Sequence, residues 1–454
     1  MKPYVGQTFM KELPLKKSRP QEIIKLLQQY NGLSSVDWKH GRVSGGIYAA
    51  MDNSDFIELM TSVYAETAYT NPLHPDVFPG VRKMEVEVVR MACKLFNGDE
   101  KSCGTMTTGG TESIVMACKA MRDYARQVKG ITKPEMIAPV TVHAGFDKAA
   151  EYLNIRLIHI PVDAKTGKVN VSSMKRAISS NTIMLIGSSP NFPHGIIDPI
   201  PEIAKLGLKY DIPVHVDACL GGFLLPFMED AGFPVPVGDF SVSGVCSISA
   251  DTHKYGFSPK GSSVVLYRHT KYRQHQFSVC TDWPGGVYAS PTVSGSRAGA
   301  NIATCWASLL FHGKEGFVES TRKIIESSRK LKKAIEATPG LQVIGDPLMS
   351  VVAVTSNTFN ILEMSDRLSK KGWNLNTLQF PSAFHVCLTL MHTEEGVMDL
   401  LIRDIQEISE ILRKSPPSAL TGQAAVYGMA QAIPDRSMVG DIAKHYLDAY
   451  YSTD

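Results

Sequence analysis

The chain has 454 residues, 44% hydrophobic and 20% charged, with 47 basic and 44 acidic side chains leaving a net charge of +3. That balance excludes a disordered chain, and so small a charge gives no footing for nucleic-acid binding. The length predicts two or three lobes, and eight cysteines with no Cys-x-x-Cys pair predict free thiols in a reducing compartment, with neither a disulfide framework nor a metal site.

Three parts follow in chain order. Residues 1–75 form an N-terminal arm that begins with a basic stretch (Lys11, Lys16, Lys17, Arg19). After Pro20, the apolar positions Ile23, Ile24, Leu26, Leu27 and Tyr30 predict an amphipathic helix over 21–30 that packs on the body or on a partner subunit. Residues 76–311 alternate strand-like and helical patterns. Short buried strands are predicted at 136–142, 157–162, 183–186, 214–217, 247–249 and 264–267, with helices at 146–154, 174–179 and 203–210 between them. That alternation predicts an α/β fold, a mostly parallel sheet with helices on both faces. Residues 312–454 read as a smaller α+β domain. Long helices at 317–338 and 396–414 flank strands near 351–355 and 384–390.

No stretch reads as a membrane span. The longest apolar run, 212–228, holds His215 and Asp217 and is broken by Gly221, Gly222 and Pro226. The first twenty residues are polar and basic, unlike a signal peptide.

Four elements carry chemistry. Thr108-Gly109-Gly110-Thr111-Glu112-Ser113 opens a helical pattern, so its backbone N–H groups are free to cradle a phosphate. No Gly-Lys-Ser/Thr follows, so it is not a nucleotide P-loop; taken alone, it reads first as a capped glycine turn. His143 stands where a strand gives way to a helix, a place from which an imidazole can stack on a flat ring. Asp217 ends the apolar run Val214-His215-Val216, where a carboxylate is costly unless paired. Lys254 follows Ser249-Ala250-Asp251-Thr252-His253 at the end of another strand-like run. An amine able to form a Schiff base and an acid able to hold a pyridine nitrogen protonated are what pyridoxal phosphate requires, since the protonated ring is an electron sink.

The order of these pieces resembles the fold-type I pyridoxal phosphate enzymes, in the branch of the group II amino acid decarboxylases. Within that branch it is most similar to the sphingosine-1-phosphate lyases. The likeness rests on the stretches 71–80 (NPLHPDVFPG), 108–113 (TGGTES), 215–222 (HVDACLGG), 249–256 (SADTHKYG), 281–291 (TDWPGGVYASP), 371–376 (KGWNLN) and 427–431 (YGMAQ). It runs from about residue 70 to the C-terminus.

The resemblance implies a seven-stranded sheet of the fold-type I transferase kind, with Lys254 as the Schiff-base lysine, Asp217 on the ring nitrogen and His143 on the ring face. It implies that Ala218 is small enough to let the ring lie flat, that Gly109, Gly110 and Thr111 hold the cofactor phosphate with His253 nearby, and that Gly295 and Ser296 reach in from the neighbouring subunit of a homodimer. It further implies a substrate-phosphate site made of Tyr48, Asn71, His74 and Lys260. Retro-aldol cleavage of a phosphorylated sphingoid base to a long-chain aldehyde and phosphoethanolamine would follow. The base for the 3-hydroxyl is open among freed Lys254, His143 and a substrate phosphate oxygen; Phe192 stands where some relatives have Tyr, so no acid–base role falls there. An L-amino acid decarboxylase of the same fold is the alternative, and would need a cationic anchor for a carboxylate. Eukaryotic members attach to the endoplasmic reticulum through an N-terminal span outside this chain, with the catalytic body facing the cytosol; otherwise a cytoplasmic enzyme is expected.

Overall fold

The structure, a computed structural model, describes residues 8–414, 420 and 422–453. Seven strands, β1 (Cys103–Thr107), β2 (Glu135–Pro139), β3 (Arg156–Ile160), β4 (Thr182–Ser188), β5 (Val214–Asp217), β6 (Val245–Ala250) and β7 (Ser263–Tyr267), form one sheet in the order β1-β7-β6-β5-β4-β2-β3. The pairs β2–β3, β2–β4, β4–β5 and β5–β6 are parallel, while β7 runs antiparallel to both its neighbours. Every residue of β1, β2 and β4 to β7 is buried; only the edge strand β3 meets solvent. Helices on both faces explain why these strands read as continuous apolar runs without alternation.

Within this sheet, β1 is the strand that the sequence pattern does not predict. Cys-Gly-Thr-Met-Thr is poor in β-branched apolar residues, and Gly104 is there for a steric reason. A Cβ at that position would stand 2.4 Å from the Val265 carbonyl oxygen of the neighbouring strand. Beyond the short hairpin β8 (Ser278–Cys280) and β9 (Tyr288–Ser290), a second sheet is built from β10 (Gln342–Val343), β11 (Val351–Thr355), β12 (Asn376–Leu378) and β13 (Ala383–Cys387). Its order is β10-β11-β13-β12 and all its pairs are antiparallel.

Between the sheets runs the helix Gly299–Ala337, 39 residues long, which starts well before the expected 317. Gly313 breaks its ladder with φ 54 and ψ −176, and this interruption is what the sequence pattern registers as a boundary. The Pro20–Asn31 helix forms as expected but buries none of its residues, with Ile23, Ile24, Leu27 and Tyr30 turned outward. Apart from half-buried Leu26, the apolar face of this helix is left uncovered by its own chain. Among the described residues no helix is long and apolar enough to cross a membrane.

Candidate active site

The carboxyl ends of β2, β5 and β6 and the helix start after β1 converge on one edge of the sheet, where ligands of parallel α/β sheets bind. Lys254 lies four residues beyond β6, on a loop stapled by hydroxyls. Thr252 Oγ1 donates to Ser262 Oγ at 2.7 Å, Ser258 and Ser262 share a bond of 2.6 Å, and Ser263 Oγ donates to the Ala250 carbonyl at 3.1 Å. Lys254 Nζ stands 3.0 Å from Asp251 Oδ2. Burial alone would push the lysine pKa down, but the Asp251 carboxylate outweighs it and holds the group above its usual value. His253 accepts the Gly261 and Ser262 backbone N–H groups at Nδ1, both at 3.2 Å, so its proton sits on Nε2, 3.5 Å from the same Asp251 oxygen.

The turn after β1 supplies the opposite wall. Glu112 Oε2 accepts from the Thr108 backbone N–H at 2.7 Å and its hydroxyl at 2.6 Å, fixing the start of the Gly110–Lys129 helix. At Gly110 a Cβ would stand 2.7 Å from Asp251 Oδ2 and 3.0 Å from Cys219 Sγ; at Gly109 it would meet His253 Cε1 at 3.2 Å. Both glycines therefore keep the floor of the cavity open. Cys219 itself is an uncharged thiol, its pKa driven up by burial.

Asp217, 6% exposed, closes β5 opposite Ser249. Its Oδ1 accepts from the Cys219 N–H at 3.0 Å and lies 3.4 Å from Ser249 Oγ, and it enters no ion pair among the described residues. A buried carboxylate without a cation is expensive. His215, just behind it, offers no charge: its nitrogens meet Ser247 and Ser249 hydroxyls, and burial pushes its pKa down to about 4. His143 accepts the Gly145 N–H at Nδ1 (3.0 Å), which leaves its proton on Nε2, and its ring meets the edge of Phe192 at 6.0 Å.

Gly109, Gly110, Thr111, His143, His253 and Lys254 line one cavity of about 360 Å³, joined by Asp251 and Cys219. Asp217 and Ala218 immediately precede Cys219 in its wall. The set fits pyridoxal phosphate: an amine, an uncompensated carboxylate for a cationic ring nitrogen, an imidazole, and helix-start N–H groups for a phosphate. Asp251, Glu112 and Cys219 are the members that sequence reasoning passed over. Asp251 stands inside the same motif as Lys254, but an acid three residues before a lysine reads as an ordinary turn until the geometry is known.

The four residues expected to hold a substrate phosphate fall into two pairs. Lys260 Nζ stands 4.7 Å from the centroid of the buried Tyr48 ring and donates to the His253 carbonyl at 3.2 Å. Its pKa is pulled below the usual value, by desolvation first and by Lys254 second. Asn71 and His74 lie on a separate turn. There Asn71 Nδ2 donates to Ser296 Oγ at 3.0 Å and Asn71 Oδ1 accepts the Arg297 N–H at 3.2 Å, while His74 is exposed. None of Tyr48, Asn71, His74, Lys260, Gly295 and Ser296 lines the Lys254 cavity of its own chain. Arg297 anchors that turn through a buried double contact to Glu85, at 2.6 and 2.9 Å.

Comparison with known proteins agrees with this site. Residues 10–356 match the pyridoxal-dependent decarboxylase conserved domain. The chain is 53% identical to the sphingosine-1-phosphate lyase of Drosophila melanogaster, over 98% of this chain and 82% of the relative. It is 51% identical to sphingosine-1-phosphate lyase 1 of Rattus norvegicus, over 99% and 78%. Among solved structures, the Burkholderia pseudomallei sphingosine-1-phosphate lyase superposes with a TM-score of 0.86 at 37% identity, covering 89% of this chain and 94% of that one. Glutamate decarboxylase of Lactobacillus brevis, at 20% identity and a TM-score of 0.78, shares the fold. The chain therefore belongs to the sphingosine-1-phosphate lyase family of pyridoxal phosphate-dependent enzymes.

Proposed function

We propose that this chain cleaves the C2–C3 bond of sphingosine 1-phosphate and related phosphorylated sphingoid bases, giving a long-chain aldehyde and phosphoethanolamine, the terminal step of sphingolipid degradation. The observation that carries the reading is a second cationic station, Lys260 over Tyr48, distinct from the helix start at Gly110 and on the same loop as Lys254. Such a station suits a phosphate ester near the amine; a decarboxylase would also need a cationic anchor, and the likeness to sphingosine-1-phosphate lyases favours the phosphate.

On this assignment Gly109, Gly110 and Thr111 hold the cofactor phosphate, Asp217 the ring nitrogen, and His143 and Ala218 the two ring faces. When bound, pyridoxal phosphate supplies the sink for the electron pair left at C2. The protein's own part is orientation: Lys260 and Tyr48 fix the substrate phosphate so that C2–C3 stands in the cleavable direction. Lys254 would hold the cofactor, and its Nζ, when free, would be placed to hand a proton to C2.

We assign Asn71, His74, Gly295 and Ser296 to the site of a second copy, in a homodimer with shared sites. Asn71 bonds to Ser296 and the His74 N–H to the Asn71 carbonyl, so these residues form one group, and the resemblance to the family supports its service to a partner's site. Seven buried, unpaired cysteines support a body that faces the cytosol. It would sit at the endoplasmic reticulum membrane where a preceding span exists and in the cytoplasm otherwise.

The test is product analysis. The cofactor-loaded protein is incubated with sphingosine 1-phosphate, and both aldehyde and phosphoethanolamine should appear and vanish together in Lys254→Ala. Release of carbon dioxide from an amino acid panel, with neither product formed, would replace the lyase by a decarboxylase.

A further inference from the structure

Asp251 is 2% exposed, and in the described structure its ion-pair partners are Lys254 at 3.0 Å and the His253 ring at 3.5 Å. Two backbone N–H groups occupy Nδ1 of His253, so that ring turns only its Nε2 side to Asp251, and from farther away than the Lys254 ammonium. The Lys254 ammonium is therefore the charge that compensates Asp251. The reverse holds equally, because a buried ammonium without its carboxylate would shed its proton.

We propose that Asp251 is a positioning residue, the counter-ion that keeps Lys254 protonated whenever the lysine is not joined to the cofactor. In that state Lys254 is unreactive toward free aldehydes, including the long-chain aldehyde that this site releases. The proposal rests on the reading of Lys254 as the cofactor lysine and on the aldehyde product given above.

The chemistry is that of carbonyl addition. An amine attacks an aldehyde carbon through its lone pair; a C–N bond forms, the C–O bond breaks and water leaves. An ammonium has no lone pair to offer. A lysine freed in its own cavity, beside a newly formed aldehyde, would as a neutral amine condense with it and stall. Held by Asp251, it does not. Pyridoxal phosphate, when bound, would supply an aldehyde of its own, and joining it would require Nζ to give up the same proton, so the Asp251 contact bears on that step in the same sense. The positions of both pKa values, Lys254 held up and Asp251 held down against the push of burial, agree with this pairing.

The experiment uses the full chain stripped of cofactor, with octanal and cyanoborohydride as the probe and the rate of labelling at the Lys254 peptide as the readout. In the wild type, labelling should be slow near neutrality and still rising from about pH 6 to about pH 10. In Asp251→Asn it should be at least about tenfold faster near pH 7, with the profile displaced to lower pH. Asp251→Glu, which keeps a carboxylate, should retain the protection. Coincident profiles for the wild type and Asp251→Asn would overturn the proposal. So would a wild-type profile already flat at neutrality, a result that stands even if the Asn variant proves unfolded by circular dichroism. Borohydride trapping of added pyridoxal phosphate provides the separation: a label on some other lysine would sink the cofactor assignment itself, whereas a label at Lys254 leaves the role of Asp251 to be decided by the octanal profiles.

Discussion

The Lys260 ammonium stands over the face of the Tyr48 ring, 4.7 Å from its centroid, although the two residues come from opposite ends of the chain segment that builds the site. The ring fixes the ammonium without neutralising it, as a carboxylate would, so its charge stays available to an incoming anion. Lys260→Ala should raise KM for sphingosine 1-phosphate by about 1.5–3 kcal/mol in binding terms, the usual loss of a charge-assisted hydrogen bond, and leave the visible cofactor absorbance unchanged. Unaltered KM would mean that the substrate phosphate lies elsewhere.

Gly110→Ala tests the cofactor wall. Its Cβ would press on the Asp251 carboxylate and the Cys219 sulfur, both fully enclosed by neighbouring structure. Affinity for pyridoxal phosphate, measured by absorbance titration, should fall by at least about tenfold, or ~1.4 kcal/mol. The circular dichroism spectrum should stay that of the wild type. Wild-type titration would show that the floor can shift aside.

Glu85 separates a buried contact from an exposed one. Arg297 reaches it with both partners nearly out of solvent, whereas Arg82, at 2.7 Å, is 44% exposed. Arg297→Met leaves a buried carboxylate with only its outer partner and should cost about 3 kcal/mol of stability; Arg82→Met should cost less than about 1 kcal/mol. Urea unfolding of the two variants decides the order, and equal losses would contradict it.

Three buried histidines set an acid limit. Burial pushes His215, His385 and His392 each down to about 4, against 6.5 for a free imidazole. Folded, they stay neutral, while the unfolded chain takes up protons below about pH 6.5. Their contribution is therefore intact above that pH and is lost as pH falls toward 4, on the order of 1–3 kcal/mol for each. His392 Nδ1 accepts both the Thr389 N–H (3.0 Å) and its hydroxyl (3.2 Å), bonds that protonation there would break. His392→Asn keeps an acceptor oxygen, so its urea midpoint should decline less steeply than the wild type's over that window; parallel declines would exonerate this histidine.

Much of the large sheet is legible because its strands are apolar runs ended by an acid, a glycine or a serine; β5 emerges with its expected bounds, Val214–Asp217. β1 is not legible, because its identity as a strand comes from close packing against β7 at Gly104, a long-range fact with no local signature. The start of the Gly299–Ala337 helix is masked by Gly313 and Gly316, which read as a stop although the chain resumes helix after one non-helical residue. Lys254, His143 and the glycine pair can be picked out as residue types in a recognisable order. The role of Asp251 cannot, since it depends on which of several nearby groups the carboxylate reaches. Nor does sequence reveal that Asn71 bonds to Ser296 or that Lys260 lies over Tyr48, since both pairs are far apart along the chain.

The hydroxyl chain Thr252–Ser262–Ser258 ties together the loop that bears both Lys254 and Lys260. Two lysines six residues apart on a stapled loop cannot drift independently. On the proposed assignment one end receives the substrate's amine and the other its phosphate, so the loop acts as a caliper set to the span between those two groups. Such a gauge rejects headgroups of the wrong length before any bond is strained, and it is blind to the hydrocarbon tail. Chain-length preference, wherever it is set, belongs to surfaces beyond this loop.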